Sequence, residues 1–163
     1  MDDLKHQISA QANYLKGVLD NYAKDSGGAC QIVFNMTDMW DQAYQSSQKL
    51  GIYLMWIGDS PWGSNANTAA LLGRVAREWR VGVKRGRGLT SPRGKTLTEE
   101  TSVCPFYDAV EDVRDIIRTQ IGVSEFAGMD NLKTVEWDLK NKNMTGKLIT
   151  FFTKNDLPGV VTK

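Results

Sequence analysis

Between Trp79 and Leu139 the spacing of apolar residues switches from every second residue to every third or fourth and back again. Nothing else in the chain constrains its fold as much. Trp79, Val81 and Val83 alternate with Arg80, Gly82 and Lys84, the pattern of a half-buried strand. Phe106, Ala109, Val110, Val113, Ile116, Ile117 and Ile121 then form one helical stripe. Pro105 suits the first turn of that helix, acids occupy its early turns, and Gly122 stops it. Val135, Trp137 and Leu139 alternate once more, and Lys147–Thr153 supplies a closing strand. The last two segments predict an antiparallel hairpin.

Upstream, Leu4, Ile8, Leu15, Val18, Leu19 and Tyr22 predict a helix from Asp2 to about Tyr22. Asp2 or Asp3 can cap it, and Asp25-Ser26-Gly27-Gly28 ends it. Cys30–Phe34 is a short run of strand formers. Leu50–Ile57 is apolar almost throughout, as a strand buried on both faces would be. Thr37–Tyr44 is left as a short helix or a turn, and Thr68–Gly73 as a helical turn or a connection. The order is α-β-β-β-α-β-β, an α+β fold in a single domain over residues 1–155 with a tail over 156–163.

At 163 residues the chain has the length of one ordinary domain and buries roughly 70% of its unfolded surface. Its longest apolar run falls well short of the ~20 residues that cross a bilayer. The acidic start Met1-Asp2-Asp3 lacks the pattern of a signal peptide, so a reducing cytoplasm is expected. Cys30 and Cys104 have no CxxC spacing and are expected as buried free thiols.

Catalytic chemistry finds little support. His6 is the only histidine, so a zinc site lacks ligands. Asp38, Asp41, Asp59 and Glu78 could make a Mg²⁺ cluster, but they belong to separate elements and such acids usually form turns and caps. Cys104 has no base except His6. Gly86-Arg87-Gly88 is a fragment of a glycine-rich loop without the third glycine. No catalytic residue, metal ligand or cofactor is assigned, and the expectation is a protein that is not an enzyme.

Charge is distributed in opposed blocks. From Arg74 to Lys95 eight basic residues stand against Glu78 alone, and from Glu99 to Asp138 ten acids stand against three basic residues. The basic block runs into Arg85–Thr101, a Gly/Pro-containing stretch without periodicity, and long loops of that kind are usually functional or disordered. Three uses are open. The blocks can pair between copies of a stacking protein, or within one copy. Alternatively Arg85, Arg87, Arg93 and Lys95, with Arg80 and Lys84 beside them, can neutralise phosphates in a small nucleic-acid-binding domain.

Arg77-Glu78-Trp79-Arg80-Val81-Gly82-Val83 resembles the W-x-V-x-V strand of tailed-bacteriophage tail terminator proteins. In that family the strand runs into a variable loop and then a helix similar to Tyr107-Asp108-Ala109-Val110-Glu111-Asp112-Val113-Arg114. Gly51–Ile57 resembles the preceding strand, and the likeness spans roughly Asp2 to Asn155. Arg85–Thr101 and Ser60–Thr68 are long for the family.

The resemblance implies a mostly antiparallel sheet with two main helices packed on one face. It implies a homohexameric ring that caps the tail tube, stops its polymerisation and offers a surface to the head-side connector. The partners implied are the chain itself, the major tail tube protein and the connector or stopper protein. Genomic DNA passes through the lumen without sequence-specific contact, and no membrane is involved. The implied location is the tail–head junction of the virion, after assembly in the host cytoplasm. Arg80, Lys84, Arg85, Arg87, Arg93 and Lys95 are the candidate ring, tube or lumen contacts, and Asp108, Glu111, Asp112 and Asp115 the candidate acidic counter-surface. On this layout Trp79, Val81, Val83, Val135, Trp137 and Leu139 face the helix Phe106–Ile121, while Arg80, Lys84, Glu136 and Lys140 occupy the other sheet face.

Overall fold

The computed structural model describes residues 6–25, 28–36, 50–61, 74–86, 105–121, 129–137 and 144–156. The elements are α1 (Gln7–Asp25), β1 (Ala29–Ile32), β2 (Gly51–Pro61), β3 (Arg74–Gly86), α2 (Pro105–Ile121), β4 (Met129–Glu136) and β5 (Met144–Asp156). This is the α-β-β-β-α-β-β order the sequence predicts. The Asp2/Asp3 cap, the segments Thr37–Tyr44 and Thr68–Gly73, and Cys104 lie outside the described residues.

The five strands form one sheet in the order β1-β2-β3-β5-β4. Only the β1–β2 pair is parallel, so the sheet is mostly antiparallel. The expected hairpin forms as β4 against β5, with β5 inserted beside β3.

Both helices pack on one sheet face. Leu15, Leu19 and Ala23 of α1 and Phe106, Ala109, Val110, Val113 and Ile117 of α2 meet Ile52, Leu54, Trp79, Val81, Val83, Ile149 and Phe151. Cross-strand pairing aligns Leu54 with Val81 and Val81 with Ile149, so three strands present one continuous apolar floor. Trp79 sits in that floor fully buried and donates its indole N–H to Thr153 Oγ1 at 3.1 Å. Thr153 in turn donates to Asn155 Oδ1 at 2.8 Å. Such pairing removes the cost of burying these polar groups.

The helices run antiparallel. Tyr14 donates to Gln120 Oε1 at 3.2 Å and Tyr22 to Asp112 Oδ2 at 2.8 Å, so advancing along α1 means retreating along α2. Burial and the Asp112 carboxylate both push the Tyr22 hydroxyl well above the usual phenol range.

The turn from α1 into β1 is held by backbone capture. Gly28 N–H bonds the Ala23 carbonyl at 2.9 Å, and Asp20 Oδ1 accepts the Cys30 N–H at 2.9 Å. That bond, with Lys24 beside it, lowers the Asp20 carboxyl from its ordinary range. Gly28 is required here because a Cβ would run into the Leu50 carbonyl. Cys30 is a buried free thiol, and burial pushes it up to about 12.

The second sheet face corrects one assignment. Val135 and Trp137 do not face α2: they join Val33, Tyr53, Met55 and Leu148 in a smaller cluster on the opposite side. The residues of β4 that share the helix side are Leu132, which packs on the main core, and Thr134, which pairs with Ile149. Alternation had grouped Val135 with Trp137 correctly. It could not say which face they took, because both faces of this sheet carry apolar clusters. Glu136 is likewise on the helix side, opposite Lys147, while Leu139 and Lys140 lie outside the described residues.

Candidate functional site

Strand β3 splits the basic block between the two sides of the sheet. Arg77 shares the helix face with Trp79, Val81 and Val83, and it is 1% exposed. Asp59 takes it in a two-point ion pair, with Nε to Oδ1 at 2.9 Å and the second nitrogen to Oδ2 at 3.0 Å. Its remaining nitrogen donates to Gln7 Oε1 at 3.0 Å and Gln11 Oε1 at 2.9 Å on α1. A fork of this kind gives geometry as well as attraction. Arg77 thus fastens the start of α1 to the sheet.

A bulge makes this possible. Trp56 pairs with Trp79 and Gly58 with Glu78, leaving Ile57 as the extra residue. Without it Asp59 would point to the opposite face; with it Asp59 stands opposite Arg77. Glu78 is on the other side of the sheet from Asp59, so these two carboxylates do not converge on a metal. Among the described residues no group of three His, Cys, Asp or Glu side chains is placed to hold one.

Of the remaining basic residues, Arg80 points to the second face. One of its terminal nitrogens lies 3.0 Å from the Met36 sulfur, and its buried Nε has no hydrogen-bond partner among the described residues. Lys84 shares this face but is fully buried, its amine 5.9 Å from the Tyr53 ring centre. Burial lowers it to about 8. Tyr53 and Trp137 meet edge to face at 6.0 Å. Gly82 beside Tyr53, and the buried Gly146 paired with Lys84, have no side chains to obstruct those rings. Burial pushes the Tyr53 hydroxyl up to about 12. The expectation of Lys84 as an exposed contact is therefore corrected: it is fully buried, beside the Tyr53 ring.

Arg85 returns to the helix side and is also buried, near enough to Tyr22 to act on its charge. Arg87, Arg93 and Lys95 lie outside the described residues. The second face also carries Lys133, which pairs with Thr150, and Lys154, which pairs with Ala76.

The four acids of α2 are exposed. Asp108, Glu111, Asp112 and Asp115 lie on the outer side of α2. Asp112 accepts the Tyr22 hydroxyl and Asp115 pairs with Arg118 at 3.0 Å. These acids and Arg80 therefore occupy opposite sides of the sandwich, with the core between them.

A third feature escaped the sequence reading. Trp56 is not core: it is 41% exposed, and Phe34 beside it is 83% exposed. With Ile8, Ala12, Ile32, Leu54 and Trp79 they line an apolar groove of about 290 Å³ between α1 and the β1–β2 edge. The signal available was Asp59, three residues on, which accepts the Trp56 indole N–H at 3.0 Å and so favours a solvent-facing ring.

No protein-family model matches the chain, and no curated protein is significantly similar to it.

Proposed function

We propose that the chain is a structural protein of a long-tailed bacteriophage virion. It forms a ring that caps the tail tube, stops tube polymerisation and joins the tail to the head connector. The observation that carries this reading is the separation of charge. The α2 acids and the sheet face that carries Arg80, Lys133 and Lys154 against Glu78 face away from one another across the core. They cannot neutralise each other within one copy, whereas the acidic side of one copy can meet the basic side of the next. An interface that joins two different faces closes into a ring when the rotation between copies closes, and opposed charge fixes its register. The α-β-β-β-α-β-β layout with both helices on one face agrees with the tail terminator resemblance. The role is stoichiometric, without turnover. Its partners are further copies of the chain, the tail tube protein and the connector, at the tail–head junction.

Light scattering with negative-stain images of the purified protein tests this. Rings of about six subunits are the outcome the tail terminator resemblance implies, and they require that the rotation between copies closes. Glu111→Lys with Asp115→Lys should dissolve them, and Arg80→Glu with Lys133→Glu added should restore them. A monomer with steep salt-dependent DNA affinity would instead favour the alternative, a small nucleic-acid-binding domain using Arg85–Lys95. The burial of Arg85 weighs against that alternative.

A further inference from the structure

Among the described residues the large apolar side chains left exposed are Phe34, Met36, Trp56, Ile57 and Tyr107. Four of them belong to one place. Phe34 and Trp56 are walls of the groove between α1 and the β1–β2 edge, and Met36 and Ile57 follow them closely in the chain. Tyr107 stands apart, in the first turn of α2, and is 61% exposed.

The groove is a preformed receptor. The Trp56 indole is tied to Asp59 and Asp59 to Arg77, so this wall is fixed before anything binds. Ile8, Ala12, Ile32 and Leu54 make the other walls apolar, while the exposed Ser9 and Asn13 put polar groups on the α1 rim. An apolar slot with a polar rim suits an aromatic ring that carries a hydroxyl.

We propose that Tyr107 of a second copy fills this groove, an inference that rests on the ring reading above and names its central contact. Tyr107 cannot reach the groove of its own copy. Ile8 and Ser9 open α1, Tyr107 opens α2, and the helices run antiparallel, so the two sites lie at opposite ends of the helix layer. They also lie on opposite flanks, since α1 covers β1 and β2 while α2 packs against β5.

Charge favours the same seat. The first two turns of α2 carry Asp108, Glu111 and Asp112 and no basic residue. Glu111 is four residues from Tyr107 and shares its side of the helix. On the Phe34 side of the groove, Arg80 has a terminal nitrogen against the Met36 sulfur, a weak acceptor, so its guanidinium keeps donors for the Glu111 carboxylate. A knob and a socket on different parts of the surface make a head-to-tail contact, which closes into a ring when the rotation closes.

Two tagged preparations in a Cys104→Ser background test this, one carrying Ser9→Cys and the other Asp108→Cys, mixed and treated with a short bis-maleimide. A cross-linked pair holding both tags is expected. Tyr107→Asp should shift the mass from ring to monomer and leave the far-ultraviolet circular dichroism unchanged. Rings without the cross-link, or rings that survive Tyr107→Asp, would overturn the Tyr107 contact and leave the ring reading standing. Cross-linked pairs without rings would support the contact and overturn the ring. Monomers without the cross-link would overturn both. A double variant that cross-links within one chain at high dilution would overturn the second-copy donor.

Discussion

Asp59 and Arg77 form a two-point ion pair on the helix face of the sheet, and they meet only because Ile57 is an extra residue in β2. The pair joins a charged strand, a bulge and the first turns of α1 in one contact.

Removing Asp59 should therefore cost far more than a surface charge. Asp59→Ala leaves a buried guanidinium without its carboxylate, a loss of about 3–5 kcal/mol. Arg77→Met should cost less, since no buried charge remains. Deleting Ile57 should be at least as harmful as Asp59→Ala, because it turns Asp59 to the opposite face. Urea denaturation of the three variants checks the order, and equal midpoints for Asp59→Ala and wild type would refute it.

Two glycines should respond in opposite directions. Gly28→Ala drives a methyl group into the Leu50 carbonyl and should destabilise strongly or prevent folding. Gly17 is mid-helix in α1 with no described residue near its missing Cβ, so Gly17→Ala should stabilise by about 0.5–1 kcal/mol. Thermal melts of both variants decide this.

Lys84 should make stability rise with pH. Its folded value is lowered to about 8 from 10.5, so between those values the folded state releases a proton that the unfolded chain still holds. The penalty is fully present below about 8 and is relieved as pH rises, by an amount on the order of 2–3 kcal/mol. Above about 9 the raised Cys30 thiol, and above about 10 the raised Tyr22 and Tyr53 hydroxyls, act the other way, which confines the clean window to about pH 8–9. Lys84→Met should flatten this rise and be more stable than wild type at pH 7. Melting temperatures of both proteins across that window are the check.

Asp20 should contribute at the acid end. Its folded carboxyl is lowered, chiefly by the Cys30 N–H, so its contribution is present above the ordinary carboxylate value of 3.8 and is lost as pH falls below it. Asp20→Asn should narrow the gap in stability between pH 5 and pH 3. An unchanged gap would mean that the Cys30 bond does not discriminate between charged and neutral Asp20.

Sequence by itself determined the elements and their order. The α2 stripe from Phe106 to Ile117, the strand around Trp79–Val83 and the β4–β5 hairpin are written in local spacing, because each element must bury one stripe or one row. The same logic placed the acids on the exposed side of α2. Spacing cannot supply what depends on residues far apart in the chain. Whether Val135 and Trp137 faced the helices was decided by Tyr53, Met55 and Leu148, which offered an apolar patch on the other face. The bulge at Ile57 lay hidden in a continuous apolar run, and with it the pairing that takes Arg77 out of the basic block. Lys84 and Arg85 look like surface charges in the sequence, yet they are covered by groups remote in the chain. Only the tertiary structure set the Trp56–Phe34 groove and the opposed charged sides, because burial and electrostatic distance belong to the packed sheet and not to any one segment.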